Sequence, residues 1–490
     1  MPYQVEQSVC HSRPSTRQSP ASHWRTVDNH KTRTARAQLP ATPGSPSRLG
    51  AAATRWKRHP VAVQRISSDR TDTRRVVRHL PHSGRPWSLT SRAAANDGRP
   101  RRFQRTTGHR RAMTRTERLA AELAEHGLLC SAWRSAFTSV RREWFVPPRI
   151  WIDDGAGRRR PVDREADPAA WYDAVYTNSP VLTQFDDGNT VWPDSTGRHC
   201  TSSTSRPDLL LRVLEALDVQ EGNRVLEIGT GTGYGTALLA ARLGSENVVS
   251  VEVDRVLAGV ARVSLAEHGF SVRVVCGDGA AGDPGGAPFD RVVSTAAVRL
   301  GGFPWTWVAQ TRTGGTVVAP VRSEFAGAAA LVRFDVTGDD RAVGRVLGVV
   351  DALPLRQHRP AVVSPSVLTG LTGGRFSRTG LEPWRVAGTW EARWAVGVRV
   401  PGCGWRHAPP RDRGAPHTLL LVDAVTRSWA RVRYDGRPGT SEVRQDGPRD
   451  LWNEVEAAYR EWVALGRPGP DRYLVTVTPS EQSAAVRLVH

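Results

Sequence analysis

The sequence predicts an α/β protein built around a doubly wound, mostly parallel sheet. From Pro207 onward, short apolar runs alternate with amphipathic stretches of helical period. A single helical stretch separates most neighbouring runs, as the crossovers between parallel strands require. A glycine-rich turn at residues 229–233 joins the first run to the helix that follows it, and such turns let the backbone approach a bound ligand closely.

The elements of this sheet are expected in one continuous series, within a core domain at residues 207–360. Residues 328–355 contain two strands without a helix between them, so an antiparallel pair at the sheet edge is expected. The other predicted elements are, in chain order, helix 208–217, strand 224–228, helix 234–243, strand 248–252, helix 254–268, strand 272–276, strand 291–295, a helix near 304–312 and strand 316–321.

Residues 113–206 precede the sheet and are predicted to be a helical and loop region that forms part of the substrate site. The spacing of leucine and alanine along residues 114–130 predicts a helix. A second helical segment ends at Pro147 and Pro148, because proline disrupts a helix interior. A loop rich in Gly, Asp, Thr and Ser is expected at residues 186–203.

Residues 370–490 are less periodic and are predicted to form a small, tryptophan-rich α+β appendage. Strands are expected at 418–422, 429–434 and 473–478, and a helix with one apolar face lies between the last two. Gly466 ends that helix. We interpret the tryptophans as the packed core of a small domain, because large aromatic side chains contribute most when buried.

The basic charge of the chain is concentrated in its first part. Residues 1–112 contain 23 Lys and Arg against 5 Asp and Glu, whereas the rest contains 45 against 43. Residues 1–112 have the composition of a disordered leader, and either a nucleic-acid-binding tail or an organellar transit peptide would have it. The favoured interpretation is upstream sequence included by an early start, because Met113 directly precedes the first predicted helix. The nearly neutral remainder gives no reason to expect nucleic acid as a partner.

Cysteine usage and hydropathy indicate an intracellular protein without a metal site. The cysteines have neither a C-x-x-C pair nor the spacing of metal ligands. Dispersed, unpaired thiols suit a reducing cytosol. No apolar run is long enough to cross a membrane, so a cytoplasmic location is expected. The five cysteines are Cys10, Cys130, Cys200, Cys276 and Cys403.

The glycine turn carries the first chemical signal. Gly229, Gly231 and Gly233 have the spacing G-x-G-x-G, whereas the dinucleotide fingerprint is G-x-G-x-x-G. Glu227 lies two positions before the first glycine, at the end of the predicted strand. A carboxylate there would repel a pyrophosphate, whereas it suits the cationic part of S-adenosylmethionine. The turn therefore favours S-adenosylmethionine over NAD as the cofactor.

Acidic residues also follow the next two strands. Glu252 ends the second strand, where a carboxylate can accept both hydroxyls of a ribose. After the third strand, Asp278 lies between two glycines, where the adenine ring would lie. Taken singly, Glu227 or Asp278 would more often cap a helix or face solvent. Acids at three successive strand ends form a coherent cofactor pocket, with an NAD-dependent oxidoreductase as the competing enzyme class.

Six runs carry a further signal: Leu226 to Tyr234, Gly277 to Gly279, Ala287 to Ala297, Gly314 to Val321 and, upstream, Phe145 to Pro147 and Thr204 to Pro207. Together they resemble protein-L-isoaspartate (D-aspartate) O-methyltransferases, which have the Rossmann-like class I methyltransferase fold. The resemblance covers roughly residues 130–325. The run at residues 287–297 is the most specific of these, because G-x-G-x-G occurs in many methyltransferases.

The resemblance implies an S-adenosylmethionine-dependent enzyme that methylates the free α-carboxylate of isoaspartyl residues in proteins or peptides, which is a repair reaction. A carboxylate is already ionised at neutral pH, so no general base is needed. The resemblance makes Ser205 the catalytic hydroxyl that holds this carboxylate, and a cap on the helix at 208–217 is its alternative role. The expected cofactor-binding residues are Glu227, Gly229, Thr230, Gly231, Gly233, Glu252, Asp278, Gly279 and Thr295.

Two departures from the family leave the substrate open. The loop at residues 186–203 is longer than the family's, and the chain continues far beyond the family's last strands. That extension, with the run at residues 445–452, resembles the tails of actinobacterial members that modify ribosomally made peptides. This second resemblance implies a tailoring enzyme, which acts on an aspartate of a precursor peptide and yields an aspartimide or isoaspartate.

Overall fold

A computed structural model describes residues 113–153, 158–360, 373–408, 416–434, 437, 439 and 441–486. The predictions made for residues 1–112 lie outside this part of the chain. Within it, strands form one ten-stranded, one five-stranded and one four-stranded sheet.

The region before the main sheet contains a small antiparallel sheet that the sequence did not predict. Its strand order is β2-β1-β3-β4. The first helix ends at Glu125, five residues before the predicted end, because Gly127 adopts a positive φ of 69°. The elements are α1 (Arg115–Glu125), α2 (Ser131–Ser139), β1 (Arg149–Asp153), β2 (Arg159–Asp163), α3 (Pro168–Val175), β3 (Val181–Phe185) and β4 (Cys200–Thr204).

The central sheet confirms the doubly wound α/β fold. Its strand order is β19-β18-β12-β11-β10-β8-β5-β6-β7, and β9 pairs with β10. The strands from β10 to β7 are parallel, and β11 and β12 are antiparallel, as expected. The elements are α4 (Pro207–Leu217), β5 (Val225–Ile228), α5 (Tyr234–Leu243), β6 (Val248–Glu252), α6 (Arg255–Glu267), β7 (Arg273–Cys276), β8 (Phe289–Ser294), β9 (Val298–Arg299), α7 (Trp305–Ala309), β10 (Thr311–Arg322), β11 (Ala329–Thr337) and β12 (Arg341–Val350).

The strand order reverses between β5 and β8, and this reversal determines where a ligand can bind. From β5 the chain continues to β6 and β7 on one side, and then returns to β8 and β10 on the other. Doubly wound sheets bind their ligands at such a switch point, beyond the carboxyl ends of the strands. Helix α4 leads into β5, so its amino end lies at this same carboxyl edge.

The C-terminal part is divided between two sheets. The five-stranded antiparallel sheet has the order β13-β17-β16-β15-β14, whereas β18 pairs with β12 and extends the central sheet. The additional strands and helices expected after residue 370 are thus present, and β18 and β19 among them join the central sheet. The elements are β13 (Arg375–Thr379), α8 (Pro383–Ala387), α9 (Trp390–Arg399), β14 (Gly404–Ala408), β15 (His417–Asp423), β16 (Ser428–Tyr434), β17 (Ser441–Asp446), α10 (Leu451–Ala464), β18 (Tyr473–Val477) and β19 (Gln482–Val486).

One hydrophobic cluster connects the central sheet to the five-stranded sheet. It contains Val317 of β10, Trp394 of α9, Val432 of β16 and Trp452 of α10. Trp394 and Trp452 are fully buried, in agreement with the interpretation of the tryptophans as core residues. Because the apolar contacts are continuous, the two sheets are expected to unfold together.

A core substitution in β18 should therefore destabilise the central sheet. Val477 is fully buried in the shared cluster, whereas Val463 on α10 is partly exposed. We expect Val477→Ala to lower the free energy of unfolding by roughly 1.5–3 kcal/mol, and Val463→Ala to change it by less than about 0.5 kcal/mol. Guanidinium unfolding followed by tryptophan fluorescence measures both. Two separate transitions, with only the second shifted in Val477→Ala, would contradict a shared core.

Candidate active site

A cavity of about 410 Å³ lies at the carboxyl edge of the parallel strands, at the switch point of the sheet. Its wall includes residues 200–206 from the end of β4, the glycine turn, and the end of β6. On the other side of the switch point, the wall is formed by Arg322 at the end of β10 and by residues 351–356 after β12. The cavity thus spans the sheet from β6 to β11.

The glycine turn has a backbone conformation that residues with side chains rarely adopt. Gly229, Gly231 and Gly233 have φ values of 92°, 54° and 94°, in the left-handed region that favours glycine. A Cβ atom on Gly229 would lie 3.1 Å from Thr295 Oγ1, and this hydroxyl donates to the Gly229 carbonyl. The turn thus packs closely against the end of β8, and Thr295 holds it there.

Glu227 lies below the turn as a buried carboxyl group. The hydroxyl groups of Ser250, at 2.7 Å, and Thr236 both donate to its Oε2 atom. Burial raises the pKa of Glu227 to about 7, and the two hydroxyl donors oppose this rise. A Cβ atom on Gly235 would lie 2.8 Å from the Oε1 atom. Gly235 therefore leaves space for the carboxyl group. The sequence prediction missed this residue, although a fourth glycine at the same spacing was the available signal.

Glu252 supports the turn from the neighbouring strand. Its Oε2 accepts the Gly231 N–H at 2.8 Å, and its Oε1 accepts the Asp254 N–H at 2.9 Å. The hydroxyl of Thr230 lies 2.6 Å from that of Ser250, between the two glutamates. Carboxylates at the ends of β5 and β6 thus hold the glycine turn in one conformation.

Ser205 lies where β4 meets α4 and lines the cavity. The alternative role of a helix cap is not observed, because the N-cap residue of α4 is Arg206 and no side chain caps the helix from that position. The neighbouring Thr204 hydroxyl lies 3.0 Å from that of Thr232, which places Ser205 beside the glycine turn. Among the described residues, none makes a hydrogen bond to the Ser205 hydroxyl.

Arg142 fixes the backbone at Ser205. The guanidinium is buried, and burial lowers the pKa of Arg142 to about 10. It donates to main-chain carbonyls from two separate segments, and so joins the end of α3 to the start of α4. The acceptors are the carbonyls of Val175, Thr177, Ser179, Thr204 and Ser205, at 2.7, 3.3, 3.0, 3.2 and 2.8 Å.

Two of the predicted cofactor residues do not line the cavity. Asp278 is exposed, and it accepts the Ala280 N–H at the start of a short helical turn. Gly233 begins α5, where a Cβ atom would lie 3.3 Å from the Phe145 ring. Gly279 does line the cavity, and a Cβ atom there would lie 2.7 Å from a methyl group of Ile228. The other predicted site residues are brought together in the cavity wall.

An ion-pair cluster at the cavity rim was not predicted. Asp187, in the lengthened loop, binds Arg359 through both carboxylate oxygens, at 2.6 and 2.7 Å. Arg356 contacts Asp187 at 2.9 Å and Asp254 at 3.3 Å. The arginines hold the pKa of Asp187 below its usual range, with the Arg359 hydrogen bonds as the largest cause. No local sequence pattern indicates these pairs, because their members are distant in the chain.

The described residues contain neither a metal-binding cluster nor a membrane-spanning helix. No three His, Cys, Asp or Glu side chains there are grouped as a metal ion would require. None of the helices in that part of the chain is both long enough and apolar enough to cross a membrane. A cytoplasmic location stays a prediction from the sequence.

Comparison with known proteins identifies the family. The sequence model described as protein-L-isoaspartate(D-aspartate) O-methyltransferase matches residues 161–359. A solved protein-L-isoaspartate O-methyltransferase covers 76% of this chain and 100% of its own, at 22% identity and a TM-score of 0.44. The protein-L-isoaspartate O-methyltransferase of Methylorubrum extorquens is 32% identical, over 50% of this chain and 89% of its own length. That of Methylorubrum populi is 38% identical, over 49% of this chain and 94% of its own length. The chain belongs to the protein-L-isoaspartate O-methyltransferase family.

Membership in this family confirms the predicted enzyme class and cofactor. The chain is an S-adenosylmethionine-dependent carboxyl methyltransferase. The matched residues include Ser205, the glycine turn and both buried glutamates. The extension beyond residue 359, with its five-stranded sheet, lies outside the family match.

The space beside Glu227 can be tested with alanine at two helical glycines. In Gly235→Ala the added methyl group would approach Glu227 Oε1, so we expect a loss of roughly 1–3 kcal/mol in the free energy of unfolding and weaker binding of S-adenosylmethionine. Gly259→Ala on α6 is the matched control, because nothing lies within 4 Å of its Cβ position, and it should gain roughly 0.5–1 kcal/mol. Thermal unfolding and calorimetric titration measure these effects. Equal stabilisation by both variants would refute the close approach at Gly235.

The buried carboxyl of Glu227 should make stability depend on pH. Its pKa is raised to about 7, so the folded state binds this proton more tightly than the unfolded state does. The resulting stabilisation is complete below about pH 4.5 and is lost as the pH rises through about 7. Relative to Glu227→Gln, the wild-type free energy of unfolding should fall by roughly 2–3 kcal/mol across this window.

Urea unfolding at several pH values tests this pH dependence, with Glu246→Gln at an exposed glutamate as the control. Parallel curves for wild type and Glu227→Gln would contradict it.

Proposed function

We propose that the chain methylates the free α-carboxylate of isoaspartyl residues in proteins or peptides. The position of Ser205 carries this proposal, because its hydroxyl lines the cavity beside the glycine turn without a hydrogen-bond partner among the described residues. Family membership supports the same substrate, since the relatives named above are protein-L-isoaspartate O-methyltransferases.

The residues of the cavity fit S-adenosylmethionine. The glycines give a turn that a ligand can approach without meeting side chains. Each oxygen of Glu252 accepts one backbone N–H and keeps a lone pair for a ribose hydroxyl. Glu227 would face the cationic part of the cofactor, and Gly279 would leave room for the adenine. The bound cofactor supplies a methyl group on a sulfonium leaving group.

The chain's own residues have an undemanding task at the acceptor. An isoaspartyl α-carboxylate is ionised at neutral pH, so no side chain needs to remove a proton. The Ser205 hydroxyl would donate to one carboxylate oxygen and leave the other oxygen aligned with the methyl group. Arg142 keeps the Ser205 backbone in place through the Ser205 carbonyl. Alignment of this kind, with exclusion of water, is the main contribution that such an enzyme makes.

A tailoring reaction on an aspartate of a precursor peptide is the second candidate. The observation that favours it is the rim, where the lengthened loop is held by the ion pairs of Asp187 with Arg356 and Arg359. A rim of this kind would restrict the cavity to particular peptides. The five-stranded sheet offers a further surface for a cognate substrate.

A radiolabelled methyl-transfer assay distinguishes the two functions. Isoaspartyl peptides of unrelated sequence and their aspartyl counterparts are offered at equal concentrations. Label in most isoaspartyl peptides and in none of the aspartyl ones is the expected result. Label confined to ordinary aspartate in one cognate peptide would favour tailoring, and no label in any peptide would refute carboxyl methylation.

The role of Ser205 is tested by removing its hydroxyl. We expect Ser205→Ala to lower kcat/KM for an isoaspartyl peptide by roughly ten- to hundredfold, the usual effect of losing one hydrogen bond to a charged group. Binding of S-adenosylmethionine should stay unchanged. Ser271→Ala, at an exposed serine, is the control and should keep full activity. A fully active Ser205→Ala enzyme would refute the catalytic role.

A further inference from the structure

Arg322 is the last residue of β10 and lines the cavity. Side chains alternate between the two faces of a strand, so Arg322 shares a face with Val318 and Pro320. Val318 belongs to the cluster that packs under α4, with Leu210 and Leu214 of that helix. Arg322 therefore continues the face that α4 covers, at the point where the helix begins and the cavity opens.

The amino end of α4 brings Ser205 to the same place. Helix α4 packs across β8, β10 and β11, and its first residues lie at the carboxyl edge of the sheet. Ser205 and Arg322 thus approach the cavity on the same face of the sheet, at its carboxyl edge. The glycine turn follows β5 and therefore lies on the other side of β8 from Arg322, because β8 separates β10 from β5.

Among the described residues, no carboxylate pairs with Arg322, whereas the other arginines of the cavity wall have carboxylate partners. Arg206 pairs with Asp208 at 2.5 Å, and Arg356 and Arg359 pair with Asp187. Within the described part of the chain, no acidic oxygen lies within 4 Å of the Arg322 guanidinium. The nearest charged influence is Glu324, which pairs with Arg299 at 3.9 Å. Burial lowers the pKa of Arg322, as expected for a cation with few polar neighbours.

The backbone of α4 does not provide an alternative anion site. Pro207, its first residue, has no N–H group. The next two N–H groups are already used, since Asp208 N donates to Asn178 Oδ1 at 3.1 Å and Leu209 N to Asp208 Oδ1 at 2.6 Å. An anion bound here would depend on side chains, and Arg322 and Ser205 are two donors that line the cavity.

We propose that Arg322 and Ser205 form a carboxylate subsite, which binds the α-carboxylate of the isoaspartyl acceptor. This inference rests on the proposed function. Arginine suits the ligand, because its planar donors match a carboxylate and stay charged at neutral pH. Methylation forms a bond from one carboxylate oxygen to the methyl carbon, while the bond from that carbon to sulfur breaks and sulfur keeps the electron pair. The ester product carries no charge, so Arg322 binds it less tightly than the substrate.

The test compares an acid with its amide. The probes are an isoaspartyl peptide and the same peptide with the α-carboxylate replaced by a carboxamide, titrated into the enzyme with S-adenosylhomocysteine to prevent turnover. Wild type should bind the acid roughly ten- to hundredfold more tightly than the amide. Arg322→Met should reduce this ratio to about twofold or less, whereas Arg322→Lys should restore part of it. Arg345→Met, at an exposed arginine on β12, is the control and should keep the wild-type ratio.

Each outcome decides the proposal. An unchanged acid-to-amide ratio in Arg322→Met overturns it. If Arg322→Met binds S-adenosylmethionine more weakly but keeps the acid-to-amide ratio, the proposal is also overturned, and Arg322 is assigned to cofactor binding. Far-UV circular dichroism and cofactor affinity show whether Arg322→Met has folded, and Arg322→Gln replaces it if it has not. Failure of wild type to methylate any isoaspartyl peptide refutes the proposed function instead, which distinguishes the two failures.

Discussion

The arrangement of the active site depends on one buried cation. Arg142 has no acidic partner among the described residues, and its charge is stabilised by five main-chain carbonyls. Burying a charge costs several kcal/mol unless its hydrogen bonds are satisfied, so these carbonyls must stay where they are. They belong to the end of α3 with the segment after it and to residues 204–205, which the pairing of Val181 with Thr204 and the Asp208 N–H bond to Asn178 also hold together. The guanidinium thus attaches the N-terminal region to the edge of the central sheet and places Ser205 at the cavity.

The charges around the cavity are divided in the way that the reaction requires. Glu227 and Glu252 lie at the ends of β5 and β6, where a cationic cofactor would bind, whereas Arg322 lies at the end of β10, on the opposite side of the switch point. Opposite charges at opposite ends favour one orientation of a sulfonium donor and a carboxylate acceptor. The switch point of the sheet lies between them, and Thr295 and Ala296, which follow β8, form the cavity wall there.

The sequence predicted those features that depend on neighbours in the chain. The parallel strands follow from buried apolar runs, and the turn at Gly229 follows from glycine spacing, so most of these bounds were predicted to within a residue or two. Strand β10 is the exception, because it begins at Thr311, five residues before the predicted start. The small antiparallel sheet was missed, because its strand Arg159–Asp163 is polar and is recognisable only from its pairing. The contacts of Arg142 and Asp187 join residues distant in sequence, and composition carries no record of them. Asp278 does lie in the turn after β7, but its side chain accepts the Ala280 N–H within that turn and does not line the cavity.

The tryptophan-rich extension also acts on the catalytic edge. Two of its indole N–H groups bind the loop that follows β10: Trp405 donates to the Phe325 carbonyl at 2.9 Å, and Trp390 to the Ala328 carbonyl at 3.2 Å. Ala328 lines the cavity, and Arg322 immediately precedes this loop. The same extension supplies β18, which pairs with β12 and supports the sheet edge from which residues 351–356 emerge. The β10 side of the cavity therefore rests on contacts with the extension, whereas the glycine turn on the other side is held by Glu252 of β6 and by Thr295 after β8. A change of substrate within this family can arise on the first side without altering the second.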